Sequence, residues 1–123
     1  MALLRTIQPP CFPIDAKIIA PAELVTLKNG ASLFLIEAGT EDVMRIEFIF
    51  RAGMAEEYLP LLATSVNMML AEGSGKYNAV ELNSVMDFYG IFMNLSAEKD
   101  TAGLTIYFLN RHIEKALELS SEM

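Results

Sequence analysis

The stretch from Leu59 to Gly75 constrains the fold of this chain more than any other, because it holds the longest helical pattern in the sequence. Apolar residues recur there at helical spacing, which would place them in one continuous stripe along a helix. We expect Thr64, Asn67 and Met68 to lie on another side of that helix and to face solvent, a cleft or a partner. The stripe itself, which we expect to face the core, consists of Leu59, Leu62, Ala63, Val66, Met69 and Leu70.

The segments before this helix predict β-structure. Asn29-Gly30 lies between apolar runs at 24–27 and 33–36, and this dipeptide is the strongest short signal for a β-hairpin because both of its residues tolerate positive φ. Residues 43–51 alternate between apolar and polar side chains, as in a strand that packs on one side. The apolar face of that strand would comprise Met44, Ile46, Phe48 and Phe50.

The segments after it predict further helices and strands. Asn78 followed by Glu81 is typical of a capping box, which predicts a helix that begins there and closes at Gly90. Its apolar face would comprise Leu82, Val85, Met86 and Tyr89. The other expected elements are strands at about 91–97 and 102–109, then a helix capped by Asn110 with Ile113, Ala116 and Leu117 inward.

Composition narrows the classes of function. The chain has 123 residues, 53% of them hydrophobic, and a net charge of −7. Because nucleic-acid binding depends on Lys and Arg clusters, the acidic balance predicts no nucleic-acid partner. Cys11, the single cysteine, favours a reducing compartment and hence the cytoplasm. No apolar run approaches the roughly 20 residues that a membrane span needs, so no membrane association is expected.

The central helix resembles a helix of the insulinase/pitrilysin-type zinc peptidases, which include the mitochondrial processing peptidases. In that family the helix carries the inverted motif His-x-x-Glu-His, followed by an apolar pair and a Gly-Thr-like turn. Here the apolar pair is Met69-Leu70, a Gly-Ser turn follows, and the motif falls on residues 64–68, Thr-Ser-Val-Asn-Met. All three functional positions are replaced, so the resemblance is to a catalytically degenerate member.

The replacements remove the chemistry of the motif. Zinc needs imidazole nitrogens at both ends, where Thr64 and Met68 stand, and the Glu that takes a proton from metal-bound water is replaced by Asn67. His112 is the only histidine, so one copy of the chain cannot supply a two-histidine site. In the family the third ligand, a Glu, lies downstream of the part that this chain resembles. We therefore expect no catalytic residue, metal or cofactor in this chain, which alone would be inactive.

The resemblance also implies a fold. It predicts an α+β domain of the mitochondrial processing peptidase type, with an antiparallel sheet and helices packed mainly on one face. We expect an extended, proline-punctuated arm at residues 1–22 and the first half of one such domain at 23–123, truncated within the last helix. In the family, substrate adds in extended form to the edge strand beside the zinc. The corresponding residues here are Phe92, Met93, Asn94, Leu95 and Ser96.

The function implied by the resemblance is that of a non-catalytic half. Inactive domains of this family pair with active ones to enclose a chamber that holds a peptide, so the expected partners are an active zinc-peptidase subunit or domain, which would carry the zinc, and extended peptides. Self-association is also expected, since half a domain leaves apolar surface uncovered. Two alternatives stay open: a fragment of an active zinc metalloendopeptidase whose site lies outside this chain, and a scaffold with no role in proteolysis.

Overall fold

The computed structural model describes residues 10–13 and 20–123, which belong to two compact units, Met1–Thr40 and Glu41–Met123. Most of the arm predicted for residues 1–22 lies outside the described residues, so it stays a prediction. Within the described ranges, no helix is both long enough and apolar enough to cross a membrane.

The first unit contains the predicted hairpin, which is confirmed. Strand β1 (Glu23–Thr26) pairs antiparallel with β2 (Ser32–Leu35). Of the two turn residues, Gly30 alone has a positive φ, +85°. Asn29 contributes through its side chain instead, because its Oδ1 accepts a hydrogen bond from the Ala31 N–H at 3.0 Å. The dipeptide thus predicts the turn correctly, although Asn29 acts as an acceptor and not through positive φ.

The second unit is built on a three-stranded antiparallel sheet whose central strand is the last in sequence. The register places Ile106 of that strand between Ile46 on one side and Met93 on the other, so apolar side chains align across the sheet. All three strands were predicted within one residue at each end. They are, in spatial order, β3 (Val43–Phe50), β5 (Ala102–Leu109) and β4 (Phe92–Ala97).

Three helices and several 3₁₀ turns complete this unit. The Asn78 side chain accepts a hydrogen bond from the Glu81 N–H at 3.0 Å, and the Glu81 carboxylate accepts one from the Asn78 N–H at 3.1 Å, so the predicted capping box is confirmed. Gly90 ends that helix with φ of +63°, as predicted. The helices are α1 (Leu62–Met69), α2 (Ala79–Tyr89) and α3 (Ile113–Glu122).

The hydrophobic core lies on one face of the sheet. Alternate residues of β5, Leu104, Ile106 and Phe108, are almost fully buried against α2 and α3. Those helices contribute buried side chains from one stripe each: Leu82 and Met86 from α2, Ala116 and Leu119 from α3. This arrangement, an antiparallel sheet with helices over one face, is the predicted α+β fold.

The last helix differs from its prediction in two ways. Asn110 begins a 3₁₀ turn that runs to His112, so α3 starts at Ile113 and Asn110 is not its cap. Leu117, predicted to face inward, is exposed, whereas Leu119 is buried. Adjacent helical residues point about 100° apart, so Leu117 cannot point inward together with Ala116. Leu119, three residues after Ala116, points inward instead.

The capping box gives a direct test of stability. We expect Asn78→Ala to lower the free energy of unfolding by about 1 kcal/mol, because the first turn of α2 loses the acceptor for an unpaired backbone N–H. Urea unfolding followed by circular dichroism measures it. Asn83→Ala, the same change in the middle of α2, is the matched control and should be neutral or slightly stabilising. Equal losses in the two variants would contradict the role of the cap.

Candidate functional site

The start of α1 is fixed by a carboxylate that approaches it from outside the helix. Glu57 accepts hydrogen bonds from the Leu61 N–H at 3.1 Å and the Ala63 N–H at 2.8 Å, one on each of its oxygens. A carboxylate here also interacts favourably with the positive end of the helix dipole. Leu61 takes the left-handed conformation, φ +68°, and Pro60 lies before the helix and not in its first turn.

The rotation of α1 differs from the prediction at its central position. Asn67, expected to look away from the core, is only 6% exposed. Its Nδ2 donates to the Ser96 carbonyl oxygen at 2.7 Å and lies 3.5 Å from that of Gly103, at the end of β4 and β5. Val66 and Met69, predicted to be inward, are 55% and 67% exposed. Within the predicted stripe, Leu59 is also exposed and the half-buried residues are Leu62, Ala63 and Leu70.

The rotation of α1 differs from the prediction because the helix contacts the end of the sheet, where strand carbonyls are available as acceptors. An amide N–H that satisfies such a carbonyl can be buried at little cost, whereas an apolar side chain there would leave the carbonyl unpaired. Helical periodicity ranks positions by apolar character alone, so it cannot detect this requirement. The prediction for Met68, which is largely exposed, is confirmed, and Thr64 is half-buried.

The three motif positions do not fit a zinc site. Thr64 and Met68 present a hydroxyl and a thioether in place of imidazoles, and the Asn67 amide has no basic lone pair that could accept a proton from water. The amide nitrogen is in addition held by the Ser96 carbonyl. The described residues include no group of three His, Cys, Asp or Glu side chains close enough to hold a metal ion.

The single histidine of the chain does not lie on α1. His112 ends the 3₁₀ turn before α3, where its ring stacks edge to face on Tyr89 of α2 with centroids 5.3 Å apart. Its Nε2 accepts a hydrogen bond from the Arg111 Nε at 3.1 Å. His112 is half-buried. These contacts assign His112 to the packing between α2 and the start of α3.

The predicted substrate strand lies at an edge of the sheet. β4 pairs with β5 on one side, and within the described part of the chain its other side pairs with no strand. Phe92, 75% exposed, and Asn94 project from the face opposite the core, whereas Met93 and Leu95 are half-buried beneath it. Ser96 is half-buried and its carbonyl receives Asn67. The assignment of these five residues to peptide binding stays a prediction.

An open cavity of about 450 Å³ lies between α1 and the end of β3. Asn67 forms part of its wall, and the charged residues in the lining are Arg51, Glu56 and Glu57. No sequence pattern indicated this cavity, since its walls come from three separate segments. Its apolar lining comprises Phe50, Ala52, Leu62, Ala63, Val66, Leu70 and Ala102, and Gly53 and Tyr58 also line it.

Gly53, which follows the end of β3, has a specific packing role. A Cβ at this position would lie 2.4 Å from the carbonyl carbon of Asp100, so no other residue fits without movement of the backbone. The neighbouring Met54 N–H donates to the Glu98 carbonyl at 2.9 Å. The turn between β4 and β5 is thereby held against the segment that lines the cavity.

A charged cluster joins the loop before α2 to α3 and was not predicted. Glu118 accepts hydrogen bonds from Lys76 at 2.7 Å and from Lys115 at 3.0 Å, and the Lys115 ammonium also lies above the ring of Tyr77. The hydrogen bonds from the two lysines lower the pKa of the Glu118 carboxyl, and the same bonds raise the pKa of each lysine. Because these groups are exposed, the cluster is a surface contact and not a reactive site.

Comparison with known proteins supports the fold. No family profile matches the sequence, and no curated protein matches it. Solved structures do match: a protease from Helicobacter pylori, 23% identical with a TM-score of 0.75 over 84% of this chain, and a peptidase M16 inactive domain from Pseudomonas fluorescens, 23% identical with a TM-score of 0.75 over 82%. The chain spans 25% of the length of each of these two neighbours. It therefore shares the fold of part of these proteins.

Because the Asn67 amide is buried, we expect a charged side chain at position 67 to destabilise the fold. Asn67→Asp should destabilise the chain by about 3 kcal/mol at pH 7, because a buried carboxylate would face two carbonyl oxygens in place of an N–H donor. Burial and these oxygens should raise the folded-state pKa of Asp above its usual value of about 3.9. The loss should therefore shrink as the pH falls through that raised pKa, since a protonated carboxyl can donate to Ser96.

Urea unfolding at pH 7 and at pH 4.5 measures both effects. Asn94→Asp, the same change at an exposed position of β4, is the matched control and should cost less than about 0.5 kcal/mol at either pH. A loss in Asn67→Asp that is small, or that does not depend on pH, would contradict the buried contact.

Proposed function

We propose that this chain is a non-catalytic zinc-peptidase-like domain that pairs with an active peptidase subunit or domain and helps to enclose a chamber for peptides. The observation that carries the proposal is the use of Asn67. The fold is shared with peptidase structures. The residue that the sequence resemblance matches to the motif Glu is a buried amide, which holds α1 on the ends of β4 and β5. In this chain Asn67 stabilises the fold, and we assign peptide cleavage to the partner.

The side chains of this chain indicate which functions we assign to the partner. This chain offers no imidazole at Thr64 or Met68 and no general base at Asn67, so zinc and bond cleavage are assigned to the active partner. One structural neighbour is itself described as a peptidase M16 inactive domain, which supports an inactive partner of this kind. The cytoplasm is the proposed compartment, in keeping with the single cysteine.

In this proposal, the chain binds the peptide substrate without cleaving it. β4 offers an open edge for an added strand, with Phe92 and Asn94 projecting beside that edge. Exposed apolar side chains of α1, among them Val66, Met68 and Met69, offer surface for the partner. The same surface would drive self-association of the chain when no partner is present.

One alternative has an observation of its own. The Helicobacter pylori neighbour is described as a protease, and this chain corresponds to a quarter of it. An active site elsewhere in a longer protein would agree with that description. A His-x-x-Glu-His motif in the same reading frame would favour this alternative, whereas the motif in a separate, neighbouring gene would favour pairing between subunits.

Co-expression with an active inverted-motif peptidase from the same genome tests the main proposal. We expect the chain alone to hold no stoichiometric zinc after dialysis and to cleave no peptide, and we expect the copurified complex to contain one zinc and to cleave peptides faster than the peptidase alone. One zinc per chain that survives mild chelation, or cleavage by the chain alone, would contradict the proposal. A peptidase that is fully active and does not bind the chain would favour the scaffold.

The substrate strand predicts a kinetic signature in that complex. Phe92→Ala should raise KM for an extended peptide about fivefold and leave kcat within twofold, because it removes apolar contact that ground state and transition state share. Ile49→Ala is the matched control: Ile49 is 65% exposed on the same face, but on β3 at the opposite edge. Its KM should be unchanged. An effect of the two variants that is equal, or that falls on kcat, would remove β4 from the peptide site.

A further inference from the structure

The turn of the first hairpin holds an asparagine side chain and, one residue on, the backbone nitrogen of a glycine. Asn29 and Gly30 lie between β1 and β2, and both residues are exposed. An asparagine followed by glycine offers the least steric hindrance to a ring that joins the side-chain carbonyl carbon to the next backbone nitrogen, because glycine has no Cβ. The turn is therefore a candidate for a chemical modification that the chain undergoes without an enzyme.

One hydrogen bond of the turn favours attack on the asparagine side chain. The Ala31 N–H donates to Asn29 Oδ1 at 3.0 Å. When a nucleophile adds to the side-chain carbonyl carbon, negative charge develops on this oxygen, and a donor that is already in place stabilises the charge. The Ala31 N–H is thus positioned to lower the barrier to the addition.

A second hydrogen bond opposes the reaction, and the hairpin holds it weakly. The Gly30 N–H donates to the Leu27 carbonyl at 2.9 Å, and this bond must open before the nitrogen can attack. In the part of the chain that the structure describes, β1 and β2 form a sheet of two strands, in which Val25 is the one residue that is not exposed. Two-stranded hairpins are marginally stable in water, so the turn should open often. A Cβ at Gly30 would meet no atom within 4 Å, so nothing packed there hinders the opening.

We propose that Asn29 deamidates in the native chain, through attack by the backbone nitrogen of Gly30. This nitrogen loses its proton to water or hydroxide and bonds to Asn29 Cγ, while the Cγ–Nδ2 bond breaks and the leaving group takes up a proton and departs as ammonia. The product is a succinimide ring, which one water molecule opens at either carbonyl. Opening at Cγ gives aspartate, and opening at the backbone carbonyl gives isoaspartate, in which the main chain runs through Cγ.

The two products have different effects on the hairpin. Each adds one negative charge to the net charge of −7. Isoaspartate also adds one carbon to the main chain within the turn, and because turn length sets the register of a hairpin, the pairing of Leu24 with Phe34 should be lost. Aspartate leaves the main chain unchanged, and its carboxylate can still accept the hydrogen bond from Ala31. Isoaspartate therefore undoes the hairpin, whereas aspartate keeps it.

Storage of the folded chain at pH 8 and 37 °C tests the proposal, with isoaspartate and aspartate measured at each asparagine by tryptic digestion and mass spectrometry. A sample digested before storage corrects for conversion during the digestion. Asn83 is the matched control in the same molecule, because it is exposed and precedes the small residue Ser84 but lies within α2, where its Nδ2 donates to the Ala79 carbonyl at 2.8 Å. We expect Asn29 to convert at least about tenfold faster than Asn83.

A parallel sample in urea shows what the folded turn contributes. Equal conversion of Asn29 and Asn83 in the folded chain would overturn the proposal. So would a folded chain that shows no conversion at Asn29 when the chain in urea has already converted there, because the turn would then protect the amide. The reaction is measured on the chain alone and does not depend on pairing with a peptidase.

The variant Asn29→Asp separates the added charge from the added carbon. It should keep the NMR contact between Leu24 and Phe34 across the hairpin, since its main chain is unchanged. The isoaspartate form, purified from the stored wild-type chain, should lose that contact at the same net charge. Loss of the contact in both chains, or in neither, would overturn the effect that the proposal assigns to the main chain.

Discussion

The central position of β5 is the constraint on which the second unit depends. Because β3 and β4 both pair with it, every alternate residue of β5 must serve one face, and Leu104, Ile106 and Phe108 provide the surface that α2 and α3 cover. A shift of one residue in its register would expose this surface and bury Tyr107. Ser96 and Gly103 lie opposite each other one pair before the end of the sheet, which is Ala97 opposite Ala102, and α1 contacts the sheet there.

Local rules predicted elements of both units, because those elements follow from neighbours in sequence. The capping box of α2, the Asn-Gly turn and the alternation of β3 each depend on residues a few positions apart, and all three were predicted correctly. The one exception is Phe50, which was predicted on the packed face of β3 and is exposed because the helices do not cover the end of that strand. The rotation of α1 depends instead on carbonyls 29 and 36 residues away from Asn67. A helical wheel contains no such information, so Asn67 was assigned to the side that looks away from the core, towards solvent, a cleft or a partner.

The use of Asn67 could not be predicted from the sequence. The resemblance predicts a replaced zinc motif at residues 64, 67 and 68, and this stays a prediction. The structure shows a role for Asn67 that the resemblance did not predict. The Asn67 amide donates where a carboxylate could not, so α1 and the strand ends are fitted to an N–H donor at this position. A glutamate at position 67 would have to break this contact.

The start of α1 is anchored in a way that is compatible with this rotation. The left-handed conformation of Leu61 costs on the order of 1 kcal/mol or more, and the two hydrogen bonds from Leu61 and Ala63 to Glu57 offset that cost. Once the first turn is fixed in this way, Asn67 lies against the strands, while Val66 and Met69 remain on the exposed side. The contact of Asn67 with the strand carbonyls sets which face of α1 meets the sheet, and the anchored first turn holds the start of the helix in a position compatible with that contact.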